Sequence, residues 1–158
     1  RCQNVTDEEF VGVFTHEMGH IQDTGIMQGN MWSGESHFKD GNNPVYQNDP
    51  SVRFYELSFE NEKTLKKNAS DLDFVSGYAM SDPYEDFAES YAYYILHGTE
   101  FKKLAKSSKI LAQKYTFLKN EVFKGKEYSS GYESKAKILT RNYDVTVLPY
   151  DMKQFFAL

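Results

Sequence analysis

His16-Glu17-Met18-Gly19-His20 limits the folds open to this chain more than any other stretch. On an α-helix, positions i and i+4 lie one turn apart on one face, so the two imidazoles can hold one Zn²⁺ between them. Two ligands are too few, because a catalytic zinc takes three protein ligands and keeps one position open for water. The fold must therefore carry this helix against a second element that supplies another donor. Glu17, beside the pair, stands where a carboxylate can act as general base on a zinc-activated water. With 4 histidines in 158 residues, shuffling the chain would give the pattern in only about one sequence in a hundred.

The segments around the pattern read as helix. Thr6 can cap, Glu9 can close a capping box, and Asp7, Glu8 and Glu9 suit the positive end of the dipole. Phe10, Val13, Phe14, Glu17 and Ile21 recur at helical spacing and carry the helix to about Gln22, with Asp23-Thr24-Gly25 ending it. Gly19 costs about 1 kcal/mol in a helix interior, so it implies close approach of another element or of substrate. A second strong helix opens at Asp82-Pro83, with Asp as cap and Pro at the first helical position. It stops at His97-Gly98.

The remaining segments are less regular. Residues 25–50 are rich in Gly, Asn, Ser and Asp without a period, as in a functional loop. Residues 51–59 partly alternate and predict a short strand, 60–68 a short exposed helix, and 71–76 fit no pattern. Thr99 is placed to cap a third helical region reaching about Lys124, with Leu104, Ile110, Leu111, Phe117, Leu118 and Val122 as its stripe and Gly125 closing it. Residues 145–148, before Pro149, predict a short strand. The sum is a mainly α fold, α+β with minor sheet.

At 158 residues the chain reads as one domain, 1–158, able to bury a core without disulfides or metal staples. Cys2, the one cysteine, permits no internal disulfide. A net charge of −5 with no basic cluster excludes a nucleic-acid partner, and no apolar run is long enough to be an integral membrane segment. Only 15 residues precede His16, and they hold no signal peptide. We therefore expect the numbering to begin inside a longer precursor, with any sheet upstream of the pattern reduced or missing.

The third ligand has several candidates. Asp23 and Ile26 stand where the extended metzincin pattern requires Gly and His, which excludes that branch. Glu35, His37, Glu85, Asp86, Glu89 and His97 are left. His97 ends a helix, where an imidazole commonly meets the last carbonyls. Glu35 and His37 lie in the irregular stretch, where they could line a substrate cleft with Trp32. Tyr91, Tyr93 and Tyr94 fit core packing better than a binding stripe. Glu85 lies on the second strong helix with Glu89 one turn further along the same face, so one can bind metal while the other accepts the second N–H of a ligand histidine. Yet Glu85 is also the third residue after the Asp82 cap, where a capping-box Glu is expected for local reasons. Helix logic leaves ligand and cap equally open.

Tyr78-Ala79-Met80-Ser81-Asp82-Pro83-Tyr84-Glu85-Asp86-Phe87-Ala88-Glu89 resembles the second motif of gluzincins related to the anthrax lethal factor protease domain. It is still more similar to bacterial zinc-binding metallopeptidase families, in which a Tyr-Ala stretch precedes a Glu-Asp-Phe-Ala-Glu helix. The two motifs cover about a sixth of the chain, in matching order. The resemblance implies a zincin-like catalytic domain with one Zn²⁺ on His16, His20 and Glu85, Glu89 behind them, and Tyr78 stabilising the oxyanion. It implies hydrolysis of a peptide or protein substrate and a secreted or cell-surface location. Two rivals stand beside it: a catalytically silent zinc-dependent binding module, and a structural site with a fourth ligand such as His37.

Overall fold

The computed structural model describes residues 6–129, 144–148 and 150. Thr6 starts the first helix as its sequence implies: the hydroxyl accepts from the Glu9 amide at 3.2 Å, and α1 (Asp7–His20) follows. Asp23-Thr24-Gly25 does not end the helical path. It lies within a π-helical turn, Ile21–Ile26. Asp23 is fully buried there and accepts the Tyr55 hydroxyl at 2.7 Å, which draws this turn inward.

The stretch without a period contains a hairpin. β1 (Glu35–Asp40) and β2 (Asn43–Tyr46) run antiparallel, with Gly41 at φ +60° in the turn. Of β1 only Phe38 is buried, its ring 5.1 Å from that of Tyr55, so the strand lacks the alternation that marks strands in sequence. Residues 51–59 do not form the expected strand. They contain α2 (Val52–Tyr55), one helical turn that buries Val52, Phe54 and Tyr55; the adjacent buried pair breaks a period of two. Nor do residues 60–68 form a helix, because β3 (Phe59–Asn61) and β4 (Thr64–Leu65) make a second antiparallel hairpin. The Asn61 side chain accepts from the Lys63 amide and shapes its turn.

α3 (Pro83–Leu96) forms as read, with the Asp82 carboxylate accepting from the amides of Tyr84 and Glu85 at 3.0 and 2.9 Å. The third helical region is not continuous. It divides into α4 (Gly98–Leu104) and α5 (Lys109–Phe117), which passes into a π turn, Leu118–Val122. Ser108 causes the break, accepting from the Leu111 amide and donating to Asp73 at 2.8 Å. Thr99 lies inside α4 instead of capping it, and of the predicted stripe Leu111 and Leu118 are the fully buried members. Gly125, at φ +89°, follows the π turn. Residues 145–148 contain a 3₁₀ turn (Val145–Val147) in place of a strand, capped by the Asp144 side chain.

The described fold is thus mostly helical with two small antiparallel sheets, and α3 lies at its centre. Phe87, Ala88, Ala92, Tyr93 and Tyr94 are wholly buried, so these tyrosines are core as expected. Lys114 of α5 is also wholly buried. It meets Asp86 of α3 at 2.7 Å, donates to the Asp73 carbonyl, and lies 4.0 Å above the Phe74 ring. That pin sets the roll of α3. α1 crosses α3 where Gly19 faces Ala88: a Cβ at Gly19 would fall 2.7 Å from the Ala88 Cα. The close approach implied by a glycine in a helix interior is therefore to another helix. On the far side of α1, Phe10 and Phe14 stack at 6.1 Å and stay exposed, as do Val13 and Ile21.

Candidate metal centre

Three donor atoms converge where α1 meets the first turn of α3. His16 Nε2 and His20 Nε2 are 3.2 Å apart, and Glu85 Oε2 lies 3.1 Å from the first and 3.5 Å from the second. Ligands about 2.0–2.1 Å from a tetrahedral zinc sit roughly 3.3–3.4 Å from one another. The three edges bracket that value, so these side chains fit one zinc ion with little rearrangement. Among the described residues this is the group of three or more His, Cys, Asp or Glu side chains able to hold a metal. Glu85 Oε2 is buried and faces only the two imidazole nitrogens, a place where a carboxylate oxygen is satisfied by a protonated imidazole or by a cation held between them.

Both helices aim these atoms for reasons legible in the chain. His16 and His20 share a face of α1, and Gly19 lets that face descend onto α3. Asp82 and Pro83 start α3 so that Glu85 falls in its first turn, and Glu89 follows one turn on. The cap at Asp82 uses backbone amides, including that of Glu85, and leaves the Glu85 side chain free for the cluster. Cap and candidate ligand are therefore compatible roles, played by different residues.

Glu89 is wholly buried behind His16. The His16 Nδ1–H donates to Glu89 Oε1 at 2.9 Å, which places the proton on Nδ1 and turns the Nε2 lone pair toward the other donors. Glu89 Oε2 accepts from the Ser76 hydroxyl and from the Val145 amide at 2.8 Å. The Tyr78 hydroxyl donates to Glu85 Oε1 at 2.9 Å, and its ring packs 6.0 Å from that of His16. Burial by itself would lower the His16 pKa, but the carboxylates of Glu85 and Glu89 reverse this and push it up to about 9. Burial would likewise raise the Glu85 carboxyl; hydrogen bonds from His16, His20 and Tyr78 hold it well below the usual carboxylate range instead. Without metal the cluster is thus a proton-sharing site, and a divalent cation would replace the proton.

Glu17 is exposed on the face of α1 next to His16, outside the donor triangle. Glu35 and His37 are exposed on β1, and neither joins the cluster. Trp32 is 90% exposed. His97 is buried at the end of α3 between the rings of Tyr93 and Tyr150, and burial lowers its pKa to about 4. Asp86 faces Lys114 and not the cluster. Sequence reasoning missed the Ser76 hydroxyl and the Val145 amide. Ser76 lay in a stretch without pattern, and a backbone amide 56 residues from its acceptor has no sequence signature.

No helix among the described residues is long and apolar enough to cross a membrane. No curated protein and no solved structure matches the chain. A family model does, across residues 6–149, which takes in both helices and every donor of the triangle. The chain therefore belongs to the family described as "Putative zinc-binding metallo-peptidase", a zinc-dependent peptidase family whose substrates are proteins or peptides.

Proposed function

We propose that this chain is a zinc-dependent endopeptidase of the gluzincin kind, with His16, His20 and Glu85 as ligands, Glu17 as general base and Tyr78 as oxyanion donor. The observation that carries the reading is the triangle of two imidazole nitrogens and one carboxylate oxygen, whose edges suit a single zinc. Bound zinc would polarise the scissile carbonyl and bring the pKa of a water toward ~7. Glu17, exposed beside His16, takes the proton of the attacking water and passes it to the leaving amine. Tyr78, now hydrogen-bonded to Glu85, turns its hydroxyl toward the developing oxyanion. Glu89 keeps His16 in the tautomer that presents Nε2. The resemblance of residues 78–89 to the lethal factor motif supports these roles, and the match over 6–149 supports treating 1–158 as one catalytic domain.

The test is Glu17→Gln. Digestion of a broad peptide library should fall by at least a thousandfold while zinc content stays near one per chain. Retention of full hydrolysis by this variant would refute the mechanism. The rival reading is a zinc-dependent binding module without activity. A wild-type chain that holds zinc yet cleaves nothing in the library would favour that rival.

A further inference from the structure

Ser76 precedes Tyr78 by two residues and is 1% exposed. Its hydroxyl accepts from the Ala79 amide at 3.1 Å and donates to Glu89 Oε2. Both directions are forced, because an amide can only donate, a carboxylate without its proton can only accept, and a serine hydroxyl has one proton to give. One oxygen therefore joins two parts of the site. On one side it completes the set of donors that orients Glu89 behind His16. On the other it accepts from the Ala79 amide inside the 3₁₀ turn Tyr78–Met80, whose first residue is Tyr78. Tyr78 reaches Glu85 at 2.9 Å, and Glu85 lies 3.1 Å from His16, so the contacts form a ring: His16, Glu89, Ser76, the Tyr78 turn, Glu85 and back.

We propose that Ser76 is a positioning residue for this site, holding the histidine-orienting carboxylate and the oxyanion-donor turn in one register through a single hydroxyl. It touches neither metal nor substrate. The inference rests on the reading of His16 as a zinc ligand and of Tyr78 as the oxyanion donor. Glu89 without Ser76 keeps His16 and the Val145 amide but loses the donor that ties it to the Tyr78 turn. The carboxylate can then rotate, and the turn is released from the wall of the site. Partners that orient a metal ligand typically change metal affinity by 10–100-fold when removed.

The experiment compares wild type, Ser76→Ala, Ser76→Thr, Glu89→Gln and the Ser76→Ala/Glu89→Gln double variant. Zinc affinity is read by competition with a chromophoric chelator, cleavage by kcat and KM on a library-derived peptide, and folding by thermal denaturation. Ser76→Ala should lose about tenfold or more in zinc affinity and should lower kcat with KM unchanged. Ser76→Thr, which keeps the hydroxyl, should recover most of both. In the Glu89→Gln background, Ser76→Ala should change zinc affinity by less than threefold, because the path it uses is already cut. Wild-type zinc affinity in a folded Ser76→Ala chain overturns the inference, as does an equally large loss in the Glu89→Gln background. A wild type that binds zinc but cleaves no peptide removes the hydrolytic reading alone, since the affinity cycle still decides the role of Ser76. A wild type with no affinity for zinc overturns both.

Discussion

Gly19→Ala isolates the geometry on which the site depends. The added Cβ would sit 2.7 Å from the Ala88 Cα and 3.2 Å from the Ala88 carbonyl oxygen, both backbone atoms of α3 that no side-chain rotation can move away. Ordinary contact begins near 3.4 Å, so α1 and α3 must separate locally by about 0.7 Å. Global stability should change little. Overpacking of this kind costs about 1–3 kcal/mol, and the gain in helix propensity from Gly to Ala offsets about 1 kcal/mol of it. The metal site is less forgiving, because zinc–ligand distances tolerate only about 0.2 Å. His16 and His20 flank Gly19, and Glu85 lies one turn from Ala88, so the opening falls directly between the two halves of the donor triangle. We expect zinc affinity to drop at least tenfold, about 1.4 kcal/mol, in a chain that melts within several degrees of wild type. The assay is chelator competition for affinity alongside thermal denaturation. Gly25→Ala is the control: its nearest neighbour is the Ile21 Cγ2 at 3.6 Å, so it should bind zinc as wild type does. A Gly19→Ala chain with wild-type zinc affinity would sink the claim that the helix crossing sets the ligand geometry.

Other outcomes test separate links. Glu85→Ala should retain the α3 cap, which is made by Asp82, yet lose nearly all of the zinc, about one per chain, that the wild type is expected to carry when metal content is assayed after purification; unchanged zinc would return Glu85 to a purely local role. His97 titrates near 4 in the fold and 6.5 unfolded, so between those values the unfolded chain binds more protons and folding weakens as pH falls. The loss approaches about 3 kcal/mol, and urea unfolding of metal-free His97→Gln should lack that window. Asp23 acts with the opposite sign: burial raises its carboxyl to about 7 against hydrogen bonds from Ser51 and Tyr55. Its contribution, read as the difference between wild-type and Asp23→Asn chains without metal, should therefore fall by no more than about 4 kcal/mol as pH rises from about 4 to about 7, working against the rise that His97 gives. Asp23→Asn should leave the His97 rise alone, and identical pH dependences for wild type and variant would refute the assignment.

The two chemical motifs were legible because each is local. A helix places His16 and His20 on one face whatever surrounds it, and Asp82-Pro83 starts a helix whose first turn must contain Glu85 and whose next turn must contain Glu89. Even the helix crossing was foreshadowed by Gly19. The hairpins were not legible, because β1 buries Phe38 alone and β3 and β4 together span few residues; neither leaves an alternating pattern. The apparent strand at 51–59 became a helical turn because tertiary packing buried neighbours Phe54 and Tyr55 together, a demand that no local period expresses.

What the amino-acid order determined alone was which donors exist and which share a helix face. Helix logic leaves Glu85 open between ligand and cap, and the resemblance of residues 78–89 names it. What only the fold decides is that Glu85, and not Glu35, His37 or His97, comes within 3.1 and 3.5 Å of imidazoles about 70 residues away in the chain. The same holds for Ser76 and the Val145 amide, which converge on Glu89 from separate segments. A buried carboxylate needs donors, and only the packed structure decides which ones reach it.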